Sequence, residues 1–362
     1  MLLYHTQSMA KSRNLNIICF LIILLVLPDS INAQGLFSRK QTANQYTTVG
    51  LGFGSSHYGG DLTPQMLKKP HFLLYKNVRW NIHGHYTRHF NPNTALRLQF
   101  SWVRLLGNDN SYTTDSKGMI VTGMQSAYIR NLHFRNDVKE MTISGIFNLI
   151  PNYSKSSPRE RLAFTPYITV GAGFISHQPK AKRPIISPDE KVKYSVNLRD
   201  LGTEGQNLPN STSKVYSLVV PVIPIGFGMK WKVNDKIDFS MEANLRYVFS
   251  DFLDDVGFTR YPDQATLNNY NPESAIFSYR ADEPLNAVTG QNRFPNIQQI
   301  YEARTGNSSN GLSIQQMVSE IGYNTSSPNV LRGGTPRNDL YGTFQFTLSY
   351  ILSEKIKCPV PK

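Results

Sequence analysis

Oily and polar side chains alternate one for one through eight segments of this chain, and this period-two pattern constrains the fold more than any other feature. It is the mark of extended strands, whose successive side chains point to opposite faces. The runs cover residues 46–54, 78–90, 94–106, 138–150, 163–175, about 215–233, 237–249 and 340–352. In the second, Trp80, Ile82, Tyr86 and Phe90 oppose Arg79, Asn81, His83, His85, Thr87 and His89. In the seventh, Ile237, Phe239, Met241, Ala243, Leu245, Tyr247 and Phe249 oppose Asp238, Ser240, Glu242, Asn244 and Arg246. The helical period is nearly absent.

Most runs are longer than the roughly nine to eleven residues that a tilted strand needs to cross about 25–30 Å of hydrocarbon. The connections alternate in length. "NPN" and "NDK" are tight turns and "PNYSKSSPRERL" is short, whereas the other four links run to about 23, 30, 39 and 90 residues. This asymmetry predicts an all-β fold: an eight-stranded antiparallel transmembrane β-barrel with short periplasmic turns and long extracellular loops. Unpaired backbone groups are not tolerated in hydrocarbon, so such a sheet must close. The competing architecture is a secreted β-sandwich, which also buries one face of each strand. Strand length, the more apolar outward faces, and aromatics near the strand ends (Trp80, Phe90, Trp102, Trp231, Tyr350) favour the barrel.

Ahead of the strands, Lys11 and Arg13 precede the apolar run "LNIICFLIILLVL", followed by Pro28 and Ala33. This reads as a signal peptide over residues 1–33, cleaved near Ala33. The alternative, an uncleaved anchor, would need roughly twenty apolar residues. The barrel then occupies 34–352, with its longest loop at 250–339, and 353–362 forms a periplasmic tail. Loss of Lys11, Arg13 and Asp29 takes the net charge from +13 to +12. Export makes nucleic acid an unsuitable partner; outer-membrane lipid headgroups or acidic protein surfaces suit the charge. One cysteine remains, Cys358, so no internal disulfide forms. It either contacts a partner or stays reduced.

Arg79, Arg97, Lys230 and Arg246 are expected to face Glu140 and Glu242 inside the lumen. A charge there is costly unless paired, which predicts at least one ion pair, Glu242 or Glu140 with Arg246 or Arg97. Asp251, Asp254 and Asp255 leave the seventh strand where Arg332 and Arg337 approach the eighth. They are expected to clamp the ends of the longest loop, with calcium binding as the rival reading. His83 and His85 share a face but have no evident third ligand for zinc. Ser101 with His83 or His85 is the one nucleophile–base pairing the inward list offers. The expectation is therefore no catalytic, metal or cofactor site. The glycines of "GLGFGSS" and "GAGF" serve lumen packing. "LSIQQMVSEIG" (312–322) has one apolar side and reads as a short helix that caps the barrel or meets a partner.

Four phrases, "SSHYGGDL" (55–62), "LHFRNDVKEMTISGIFNL" (132–149), "YVFSDFLDDVGFTRYPD" (247–263) and "LRGGTPRNDLYGTF" (331–344), resemble those of PorG-like outer-membrane barrels found with type IX secretion machinery. "KIKCP" (355–359) is similar to the Lys-Cys-Pro tail of that family. The resemblance implies a non-enzymatic outer-membrane subunit that docks periplasmic ring components. The chain departs from the pattern in the length of its last loop and in its "CPVPK" ending. A passive pore or surface-exposed barrel, and a lipid-modifying enzyme, are the other function classes.

Overall fold

A computed structural model describes residues 45–63, 77–111, 113, 120, 123–153, 161–209, 211, 213–323, 331–334 and 337–352. The expected signal peptide and the 353–362 tail with Cys358 lie outside the described residues. Ten strands form one antiparallel sheet: β1 (Tyr46–Gly59), β2 (Arg79–His89), β3 (Thr94–Asn108), β4 (His133–Asn148), β5 (Phe164–Ser176), β6 (Pro179–Lys182), β7 (Tyr194–Asn197), β8 (Val219–Lys232), β9 (Ile237–Val248) and β10 (Leu340–Leu352). β1 pairs with β10 and β3 pairs with β4, which closes an eight-stranded barrel of β1–β5 and β8–β10. β6 and β7 form a hairpin that continues the sheet above β5, with Arg135 of β4 opposite Lys180.

Two tight turns are built the same way. Asn91 Oδ1 accepts from the backbone N–H groups of Asn93 and Thr94, and Asn234 Oδ1 accepts from those of Lys236 and Ile237. An asparagine that bonds the backbone two and three residues on replaces the turn's missing ladder bonds.

The outer face is apolar. Leu51 is 77% exposed, Phe53 66% and Leu348 60%, and similar side chains recur on every barrel strand. Phe53, Phe346, Phe239, Trp231 and Phe164 form a continuous aromatic band across β1, β10, β9, β8 and β5, with centroids 5.4–6.3 Å apart. Such a belt far exceeds the exposed patches of water-soluble monomers and suits acyl chains.

The lumen departs from expectation. Its polar lining thins part-way up, and from Val103 onward most inward residues are apolar: Val103, Leu105, Phe134, Val138, Ile175, Val220, Val222 and Val248 are all buried, with Asn136 among them donating to the Leu253 carbonyl. They pack with Leu62, Leu132, Leu198, Leu201, Leu253, Val256 and Phe277 from the long connections. Strands β1, β3 and β4 outrun their expected lengths here because loop side chains, and not water, cover their upper inward faces. The barrel therefore carries a dry plug at the end bearing the long loops.

Those loops fold into helices: α1 (Gln125–Arg130), α2 (Leu198–Leu201), α3 (Gln264–Tyr270), α4 (Pro272–Ser278), α5 (Phe294–Thr305) and α6 (Ile314–Glu320). α6 falls within the expected 312–322 and begins with a capping box between Ser313 and Gln316. Its Ile314, Met317 and Val318 join Tyr128, Ile129, Ile297, Ile300 and Tyr301 of α1 and α5 in a second apolar core. Here the apolar stripe finds cover in its own chain.

Candidate functional site

Two layers of charge cross the lumen. In the lower, Arg97 reaches Glu242 through Nη1 at 2.8 Å and 3.0 Å from the two oxygens, and the Tyr167 hydroxyl donates to the same carboxylate at 2.8 Å. In the upper, Arg246 Nε donates to Glu140 at 2.7 Å while Tyr341 also donates to Glu140. Each layer is an Arg–Glu–Tyr set. The tyrosine ring lies under its guanidinium, 5.9 Å from Arg97 and 5.6 Å from Arg246. Between the layers, Asn244 donates to Gln345 and Gln345 to Asn81. At the short-turn end Arg161 pairs with Asp238 and donates to the Asn234 and Asp235 carbonyls.

The six residues expected as one lumen network are thus not all together. Arg79 stays at the start of β2, where its guanidinium donates to the Val78 carbonyl, and it joins neither pair. Lys230 lines a lower cavity of ≈ 30 Å³ with Thr87, His89 and Arg97, also outside both pairs. That volume is on the scale of one or two waters.

His83 and His85 fill the space left by glycines. A Cβ on Gly50 would lie 2.4 Å from the His85 ring, and one on Gly52 2.5 Å from that of His83. The rings reach across β1 to β10, where His83 Nε2 meets Thr347 Oγ1 at 2.9 Å. Ser101 instead accepts from Gln99 at 3.0 Å, so the serine–histidine pairing is not formed. Among the described residues, no three His, Cys, Asp or Glu side chains converge as a metal site.

The mouth carries the other cluster, differently composed from the expected clamp. Arg332 is buried and reaches Glu204 at 3.0 Å and Asp255 at 3.5 Å. Asp255 also accepts from Tyr216 at 2.8 Å and from Thr203. Asp254 lines a small cavity with Arg332 but lies among acids, with Asp339 and Asp61, near Tyr58, and the ion pairs of Arg332 go to Glu204 and Asp255 instead. Asp251 accepts from the Phe258 N–H at 3.2 Å. Arg337 is exposed and takes no part in this cluster. Burial beneath the loops sorts the carboxylates: Asp255 meets the guanidinium and Asp254 lies among other acids.

Four further residues of the mouth, Glu204, Asp61, Asp339 and Arg130, were not singled out from the sequence. Glu204, from the β7–β8 link, completes the Arg332 pair. Asp61 Oδ1 accepts from the Gly334 N–H at 3.0 Å. Asp339 accepts from Tyr58 at 2.6 Å and from the Leu253 N–H at 2.8 Å. Arg130 ties these parts together: it pairs with Asp109 at 2.6 Å and donates to the Arg332 and Asp61 carbonyls at 2.6 and 2.8 Å.

Burial, with Asp339 and Asp61 close by, pushes Asp251 up to about 8. Burial likewise raises Asp254 and Asp339, whereas Asp255 is held to about 6 by Arg332, Thr203 and Tyr216. A carboxylate whose folded pKa lies above its unfolded one stabilises the fold below the unfolded value and loses that contribution as pH rises through the folded value. Loosening of the mouth is therefore expected between the ordinary carboxylate range and about pH 8. Limited proteolysis of loop 250–339 should accelerate from pH 5 to pH 9, and Asp254→Asn should flatten the dependence.

No family model and no curated relative matches the chain. Among solved structures, it is similar to Neisserial surface protein A, at 6% identity and a TM-score of 0.33, covering 84% of this chain and 96% of that one. It is also similar to the attachment invasion locus protein Ail of Yersinia pestis, at 8% identity and a TM-score of 0.31, covering 85% and 99%. CarO2 of Acinetobacter baumannii gives 8% identity and a TM-score of 0.26, covering 83% and 98%.

Proposed function

We propose that this chain is an outer-membrane barrel acting as a sealed, non-enzymatic platform, with its loop-built domain presented at the cell surface. The observation that carries the reading is the filled lumen beneath a folded cap: two Arg–Glu–Tyr layers, a dry apolar plug, and helices stapled over it by buried arginines. An eight-stranded barrel has an interior that side chains can fill, and this one is filled. The apolar belt supports placement in a membrane, and the length of the loops at one end supports their placement outside. His83 engages Thr347 and Ser101 engages Gln99, so the serine–histidine pairing weighed from the sequence lends no support to an enzyme.

Purified protein in planar bilayers should give no discrete conductance steps. Reproducible steps from the intact barrel would contradict the sealed lumen.

A second reading, a subunit of a type IX secretion apparatus, is favoured by one observation. The four phrases that resemble PorG-like barrels meet at the mouth: Tyr58 and Asp61, His133 and Phe134, Asp254 and Asp255, and Arg332 and Asp339 all converge there. In this reading the short-turn end and the tail 353–362 contact periplasmic ring components. Co-purification of such components in mild detergent, lost on deletion of 353–362, is the expected result. Equal recovery with and without the tail would reject that contact.

A further inference from the structure

Just above the apolar belt, on the outward face of β2, β3, β4 and the β6–β7 hairpin, the side chains change character. Trp80 and Trp102 meet edge to face at 5.2 Å and mark the top of the belt there. Lys139 pairs across from Trp102, while Met141 and Phe100, two residues lower, belong to the belt. Higher on the same face stand Arg104 opposite Asp137, Arg135 opposite Lys180, and Lys182 opposite Tyr194. Five cations thus share this strip with Asp137, and Asp200 lies beyond its far edge beside Asn197.

The strip is built to hold its charges in place. Arg104 lies over the Trp80 ring at 4.9 Å and makes two bonds to Asp137. Arg135 and Lys182 flank the Tyr194 ring, at 5.3 and 5.4 Å. Lys182 Nζ donates to the Val288 carbonyl at 3.0 Å, and Lys139 is exposed. Asp137 is claimed by Arg104: Arg135 Nε stands 3.7 Å from it, too far for a hydrogen bond. Arg135 Nε and the Tyr194 hydroxyl are both buried with no hydrogen-bond partner.

We infer that this strip binds phosphate groups on the headgroups of lipids in the membrane leaflet at the long-loop end. The inference rests on the membrane placement proposed above. The cations exceed the acid that faces them, and two buried donors lack an acceptor, which is the complement of a phosphate's charged oxygens. Position selects lipid as the source. From Lys139 to Arg135 the strand climbs about 13 Å, or roughly 10 Å of height once tilted. That places the cations in the headgroup layer directly over the hydrocarbon edge marked by the tryptophans. Lysine and arginine stems can lie along the upper belt while their charged ends reach the phosphates.

The test is native mass spectrometry of the full-length protein in detergent, offered a bisphosphorylated glycolipid, phosphatidylcholine, or inorganic phosphate. The wild-type barrel should retain the phosphorylated lipid over phosphatidylcholine. Arg135→Gln/Lys139→Gln/Lys180→Gln should lower that retention by at least about tenfold, since each cation near an anionic surface contributes attraction. Arg135→Lys/Lys139→Arg/Lys180→Arg, which keeps the charge, should restore most of it. Insertion into phosphatidylcholine vesicles, scored by the heat-dependent gel shift, should be unaffected by either triple variant. Equal retention by wild type and the Gln triple variant would overturn the inference, as would displacement of the lipid by inorganic phosphate at the same concentration. Failure of the wild type to insert in any vesicle would overturn the membrane placement and this site together; insertion without headgroup preference would overturn this site alone.

Discussion

Arg246→Ala should destabilise the folded barrel by about 3–5 kcal/mol, the range for removing one partner of a buried ion pair. Arg246 and Glu140 are 2% and 0% exposed, so the stranded Glu140 carboxylate has no route to bulk water. The same substitution removes a donor from Thr343 and the cation over the Tyr341 ring. The consequence is read as a fall in the urea midpoint of the heat-dependent gel shift in lipid vesicles. Replacing both partners, with Arg246→Met and Glu140→Leu, should recover much of the loss, because the desolvation of both charges goes with them. If Arg246→Ala unfolds at the wild-type midpoint, the upper layer does not hold the barrel together.

The second large effect is expected at the mouth. Arg332→Ala strands Glu204 and Asp255, both 0% exposed, and removes the cation that joins the β7–β8 link to the base of the longest loop. Loss of such a buried partner costs about 3–5 kcal/mol. Cleavage that proceeds through local opening should then accelerate by at least about a hundredfold. The loss falls on the loops, since the barrel ladders do not involve Arg332. Protease should therefore cut within 250–339 while the β1–β5 and β8–β10 cylinder persists. Arg337→Ala is the control, because Arg337 is exposed and stands outside the Arg332 cluster; cleavage in it should stay near wild type. Equal resistance of Arg332→Ala and wild type would remove Arg332 as the staple.

The barrel was legible because its strands answer to two solvents at once. Leu96, Leu98, Phe100 and Trp102 face outward while Arg97, Gln99 and Ser101 face inward, and the period follows from the backbone itself. The ion-pair layers were legible as chemistry but not as partners. Arg97 and Glu242 are 145 residues apart, and only the closed register brings them level. The apolar plug gave no local sign: Val103 and Leu105 continue the strand, and whether water or loop covers them is decided by residues such as Leu253 and Phe277.

Glu204 was invisible for a similar reason, lying 128 residues from Arg332 within a polar link. The loop helices did leave signals that periodicity alone passes over. Asp263 caps α3 by accepting from the Thr266 N–H, and Asn271 with Pro272 starts α4. The β6–β7 hairpin is four residues a side, too short for alternation to stand out.

Single cysteines placed along β10, in a Cys19→Ser/Cys358→Ser background and reconstituted in vesicles of brominated lipid, test the closed, lipid-facing cylinder most directly. A fluorophore at Phe346, Leu348 or Tyr350 should be quenched by the acyl chains, and one at Gln345, Thr347 or Ser349 should not, giving a strict period of two along the strand. Uniform quenching across the six positions, or none at all with every position open to a water-soluble quencher, would contradict it.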